Sequence, residues 1–193
     1  MRPMKQPSST AKKVSSIGFL WGLAEGTFFF IVPDVFIGFV AMRSVGHAAK
    51  AWMASIAGSM LAIVFIYTLM AWMDLNYLDS LTYIPGISSN LLESVSSSIA
   101  ADGLPYTPLL ILKGVPLKVF GAVAFSLSHS LPAVLLWTVF ARLARIAPTF
   151  VVFAVLRWLC ADKIDANPRP WYLAMGVFWA LFYAFYFWRM SQH

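Results

Sequence analysis

A chain of 193 residues that is 60% hydrophobic and only 11% charged cannot cover its own surface with polar groups. Soluble domains carry about 25% charged residues, so lipid is the expected solvent. The length allows one domain of several spans and excludes a separate soluble catalytic domain. A net charge of +6 reads as the loops of a membrane protein facing the cytoplasm. No basic run is interleaved with stacking aromatics, so nucleic acid is not an expected partner. Cys160 is the only cysteine, which rules out an internal disulfide and argues against a thiol metal site. No cofactor or metal is expected.

Residues 1–15 form a basic, cytoplasmic tail. The apolar run after it continues past Glu25 and through Pro33-Asp34 without a clear small-residue cleavage site, which predicts a retained membrane segment rather than a signal peptide. An unbroken helix over residues 16–42 would carry two carboxylates into hydrocarbon. A re-entrant pair of half-helices is the expected form, because irregular backbone is tolerated at depth where protein or water surrounds it. After Arg43, His47 and Lys50, residues 51–73 run for 23 positions without a charge, against the roughly 20 that a span needs. Ala54, Gly58 and Ala62 lie four apart on its face and predict close helix packing.

Residues 74–103 carry Asp74, Asp79, Glu93 and Asp102 with no Lys or Arg, and read as an external loop with a surface helix. Residues 104–118 are interrupted by Pro105, Pro108, Gly114 and Pro116, which predicts a second broken element. A span over 119–141, a short membrane segment over 146–160 and a last aromatic span over 170–188 complete a single integral membrane domain, 16–193. The fold class expected is all-α: a polytopic transmembrane helical bundle with two re-entrant elements. The loop charges place the N-terminus and the Arg43–Lys50 connection inside and the 74–103 loop outside. Both hold only if residues 16–42 enter and leave on one face.

Ionisable groups at hydrocarbon depth are costly and are functional candidates by default. Glu25 is the first, as a proton-binding carboxylate or as a buried acid paired with Arg or Lys. Asp34 follows Pro33 and reads equally as a cap on the next half-helix and as a cavity group. Arg142 and Arg145 lie three apart on one helical face and offer forked hydrogen bonds to a phosphate; the alternative is interfacial snorkelling. Arg157 lies deeper in its segment. Lys113 and Lys118 flank the Gly114–Pro116 break and would neutralise an acid or meet an anion. His129 reads as a proton shuttle or as a helix–helix hydrogen-bond partner. The Trp and Tyr residues near span ends read as interfacial anchors.

Glu25, the aromatic stretch after it, Pro33-Asp34, and Gly58 and Tyr67 in the following helix resemble the first half of the DedA, or VTT-domain, membrane proteins. Lys113-Gly114-Val115-Pro116-Leu117-Lys118, with Arg142 and Arg145 beyond, resembles the second half. The resemblance covers about residues 15–160. It implies two re-entrant elements facing each other across the membrane, with an acid in the first and arginines in the second half. It also implies flipping or scrambling of phospholipids or polyprenyl phosphates, often coupled to protons. Asp34 stands where many members have Gly-Glu, and the second element lacks their Pro-Gly-x-Arg pattern, which marks a divergent branch.

The expected function is therefore a transporter or flippase for an anionic lipid or lipid phosphate in a bacterial inner membrane. Its partners are membrane lipid and protons, and a homo-oligomer is compatible with the sequence. A non-transporting assembly or maintenance subunit is the alternative. An enzyme is not expected: the Lys163…Arg169-Pro170 stretch is one residue short of a lipid-phosphatase motif and is followed by no nucleophilic-site motif.

Overall fold

The computed structural model describes residues 8–29, 31–73, 76–84, 87–104 and 115–190, which are helical almost throughout. The helices are α1 Ser8–Thr27, α2 Pro33–Arg43, α3 Val45–Met73, α4 Asn76–Leu81, α5 Ser89–Asp102, α6 Leu117–Ser126, α7 Leu131–Leu159, α8 Ala161–Ala166 and α9 Arg169–Met190. Two of them, α3 and α7, are long and apolar enough to cross a membrane. Each has 29 residues, or about 43 Å of helix at 1.5 Å per residue. Only 17% of the most apolar stretch of α7 is buried. The core helix of a soluble protein would hide most of such a stretch.

Helix directions follow from which residues meet. Gly18 lies on Ala51, Gly22 on Ser55 and Gly26 on Ala62, so α1 and α3 run parallel. The approach is close enough that a Cβ at Gly22 or Gly58 would collide with the backbone carbonyl of Ser55 or Phe19. The three glycines of α1 form a small-residue stripe that meets Ala51, Ser55 and Ala62, while Gly58 of α3 meets the α1 backbone at Phe19 and Leu23. Of the stripe expected on α3, Gly58 and Ala62 lie in this contact; Ala51 and Ser55, and the glycines of α1, were not anticipated.

Between the two parallel helices the chain returns through α2. Trp21 stacks on Phe36 with ring centroids 5.6 Å apart. Ile37 and Ala41 pack with Ala48, Ala51 and Ile146, near Val14. Residues 8–43 thus make an up-and-down helical hairpin.

The second half of the chain repeats the device. Leu117 lies beside Gly26, and Gly121 beside Ile63 and Ile66, so α6 starts at the tip of the first hairpin and continues along α3. The chain reverses at residues 127–130. There Ser128 takes a left-handed φ of 64°, the His129 amide donates to Ala124 O at 3.1 Å, and Pro132 sits in the first turn of α7. Then α7 descends antiparallel to α3. Trp137 stacks on Phe120 at 3.6 Å and Phe150 packs on Trp52 at 5.1 Å.

This corrects the expected span boundaries. A span over 119–141 followed by a separate segment over 146–160 is not what forms. The break falls at 127–130, and one helix runs unbroken through Arg142 and Arg145. The charge at Arg142 does not end the helix because the fold supplies it with an internal carboxylate, which lowers the cost of burying it. Of the second broken element, residues 105–114 lie outside the described residues.

The last helix runs antiparallel to α2. Tyr172 stacks on Phe39 at 6.0 Å and Met175 reaches Gly38. Its other face, including Leu173, Leu181, Phe185 and Trp188, is exposed, as are Leu136, Phe140 and Val151 on α7. An apolar surface of this extent marks contact with lipid or with another protein.

Candidate functional site: a charged cavity at the hairpin tip

Chain breaks inside an apolar fold leave backbone groups that must find partners. Between α1 and α2 three side chains supply them. Trp21 Nε1 donates to Ile31 O at 2.8 Å. The Val32 amide donates to the Tyr183 hydroxyl at 2.8 Å. Lys118 Nζ donates to Phe29 O at 3.2 Å. The tip of the first hairpin is thus tied to α1, to α6 and to α9, and this fixes the floor and sides of a cavity.

The cavity has a volume of about 570 Å³ and draws its walls from the hairpin tip, the start of α6, the middle of α7 and the end of α9. Its charged lining residues are Glu25, Asp34, Lys118 and Arg145. From α7 come Arg145, Pro148, Thr149, Val152 and Phe153, the i, i+3, i+4, i+7, i+8 face of one helix. Pro148 has no amide to give to the carbonyl of Ala144, so the helical ladder is interrupted on this wall. Both α2 and α6 begin at the cavity, and helix N-termini favour negative charge.

The expected site residues separate into three groups. Glu25, Asp34, Lys118 and Arg145 come together. Arg142 is adjacent but turned away. Three helical residues leave a rotation of roughly 60° between side chains, enough to send Arg142 into the protein, where it is 1% exposed and forms a salt bridge to Glu25. The expectation that both arginines hold one anion is therefore revised: Arg142 is already committed to Glu25. Its Nε and Nη1 have no hydrogen-bond partner among the described residues, and the bond to Glu25 runs through Nη2.

Arg157 and His129 do not reach the cavity. Arg157 makes a forked pair with Asp165, at 2.8 and 2.9 Å, on the exposed end of α7. The guanidinium holds the Asp165 carboxyl below the usual carboxylate range. Its apparent depth in the sequence came from assuming a short segment, whereas it lies in the last turn of a long helix. His129 sits half-buried in the turn between α6 and α7. Lys113 lies outside the described residues.

Asp34 and Arg145 define the chemistry. Asp34 is 4% exposed and its Oδ2 has no hydrogen-bond partner among the described residues. The Arg145 guanidinium and the Thr149 hydroxyl face it. Arg145 itself makes no salt bridge among the described residues. A buried polar atom without a partner costs about 1–3 kcal/mol. That cost is removed when a proton, water or ligand arrives. Among the described residues no cluster of His, Cys, Asp and Glu is suited to a metal ion.

Tyr183, Tyr186, Thr149 and Pro148 also belong to the site and were not singled out in the sequence. The tyrosines were read with the other aromatics as interfacial anchors. Pro148 carried a usable signal, a proline six residues after the buried Arg142 and three after the half-buried Arg145. Comparison with known protein families, with curated proteins and with solved structures gave no match.

Proposed function

We propose that the chain is a multi-pass protein of a bacterial inner membrane, with a cytoplasmic N-terminus, that carries the anionic headgroup of a membrane lipid through the cavity at the hairpin tip. The return arm α2 has 11 residues, about 16 Å of helix, roughly half of the ~30 Å hydrocarbon thickness. A hairpin of that depth enters and leaves on one face and puts its tip near the bilayer midplane, as a re-entrant element does. The start of α6 at the same tip supplies the matching half, and the resemblance to DedA and VTT-domain proteins points the same way.

The carrying observation is the charge count around the cavity. Arg142, Lys118 and Arg145 are three cations; Glu25 and Asp34 are two carboxylates. With Glu25 bonded to Arg142 and also beside Lys118, Asp34 is left beside Arg145, which makes no salt bridge among the described residues, and the described residues around the cavity hold one more cation than carboxylates. A phosphate group of a phospholipid or polyprenyl phosphate fits that excess, since a guanidinium offers it a planar fork of donors. Protonation of Asp34 raises the excess by one and strengthens the hold on the anion, which gives a route to proton coupling.

The test is transport in reconstituted liposomes. Wild-type protein is expected to move a fluorescent anionic phospholipid between leaflets faster than empty liposomes do. Arg145→Gln should slow it at least tenfold while inserting normally. Transport at the wild-type rate by that variant would end the proposal.

The buried Glu25–Arg142 pair favours a second reading, a non-transporting assembly subunit in which the charges serve packing alone. In that case Arg145→Gln has no effect on lipid movement, and wild-type liposomes behave as empty ones.

A further inference from the structure

The charged residues occupy only one end of the cavity. The other end is walled by Val152 of α7 and by Phe178 and Phe182 of α9. These three are at the same time exposed on the outside of the molecule, at 59%, 55% and 46%. A side chain that lines a cavity and also faces outward marks an opening, and this opening is apolar. It lies between two helices that touch lower down, where Phe153 packs with Met175 and Trp179. Through Tyr183, α9 is held to the hairpin tip at Val32.

The slot joins the polar end of the cavity to the apolar surface formed by Leu181, Phe185 and Val151. A water-soluble anion would gain nothing from such a wall. A ligand with a hydrocarbon chain keeps that chain in apolar surroundings along the wall while its charged end meets Arg145.

We infer that the ligand enters sideways from the bilayer through the slot between α7 and α9, with its chain against Val152, Phe178 and Phe182 and its anionic end at Arg145. The ligand class is a chain-bearing phosphate amphiphile, and free phosphate is not a substitute. The inference rests on the proposed reading of the cavity as an anion site.

The experiment uses the full chain in phosphatidylcholine nanodiscs with a phosphatidic acid analogue carrying a diazirine at the end of one acyl chain. Illumination is expected to label peptides covering residues 149–156 and 177–186. Unlabelled phosphatidic acid should compete, and inorganic phosphate at equal concentration should not. Val152→Trp, at an exposed position, should cut the competable labelling at least fivefold without lowering the melting temperature. Competition by inorganic phosphate, or unchanged labelling of Val152→Trp, would overturn the lateral route. If Arg145→Gln still abolishes the competable labelling in that event, the anion site stands without the slot. If Arg145→Gln leaves labelling unchanged, the anion site falls and the inference with it.

Discussion

At the scale of single residues, the two arginines of α7 differ in what their removal should do. Arg142 neutralises Glu25 in a site closed to solvent. Breaking one side of a buried ion pair typically costs about 3–5 kcal/mol, because a charge is left behind. Arg142→Gln should therefore lower the unfolding temperature in detergent sharply. The double variant Glu25→Gln/Arg142→Gln should recover part of the loss; a strictly additive double would contradict the pairing. Arg145→Gln should lower that temperature less, since among the described residues no salt bridge joins Arg145 to the Asp34 carboxyl that faces it. On the exposed end of α7, the Arg157 fork depresses the Asp165 pKa from its ordinary 3.8. A depressed folded-state pKa gives stability present above the unfolded value and lost as pH falls through the folded one. The protection factors of the amides in residues 160–168, corrected for the intrinsic exchange rate at each pH, should thus stay constant from pH 7 to about 4 and fall only below it, and Asp165→Asn should abolish that pH dependence. The sequence made the buried charges visible, since an apolar run makes any ion conspicuous. It did not separate Arg142 from Arg145, because their difference is a rotation toward different neighbours. Nor did it mark Tyr183, whose role depends on a carbonyl-and-amide break more than a hundred residues away.

At the scale of elements, prolines and glycines carry most of the information. Pro33, Pro116 and Pro132 each stand at a helix start, where a missing amide costs nothing, and the first of these breaks was legible from the sequence. The length of α7 was not. A charge normally signals the end of a span, and only the partner on α1 cancels that signal. The α1–α3 contact rests on the absence of side chains at Gly22 and Gly58. Gly58→Leu should separate the two helices, lower the melting temperature by several degrees and weaken retention in the membrane fraction. Gly46, with nothing near its missing Cβ, should accept Ala without loss. For the hairpin, single cysteines at Ser16 and Ser44, in a Cys160→Ser background, should both react with an impermeant maleimide from the cytoplasmic side. Labelling from opposite sides would show that α1 and α2 do not re-enter.

At the scale of the whole molecule, the composition asks for lipid and the surface agrees. The outer faces of α7 and α9 are apolar over most of their length, while the charges converge on one internal hollow. The arrangement is consistent only if that hollow sits at hydrocarbon depth and is wet. Positions 149 and 151 of α7 test this, being nearly level along the helix but facing the cavity and the outside respectively. Nitroxides placed at each, one at a time in the Cys160→Ser protein in bilayers, should report the same depth inside the hydrocarbon. The label at 149 should be relaxed by a water-soluble nickel reagent, and the label at 151 by oxygen. Equal, oxygen-dominated relaxation at both positions, or a depth outside the hydrocarbon, would contradict the account.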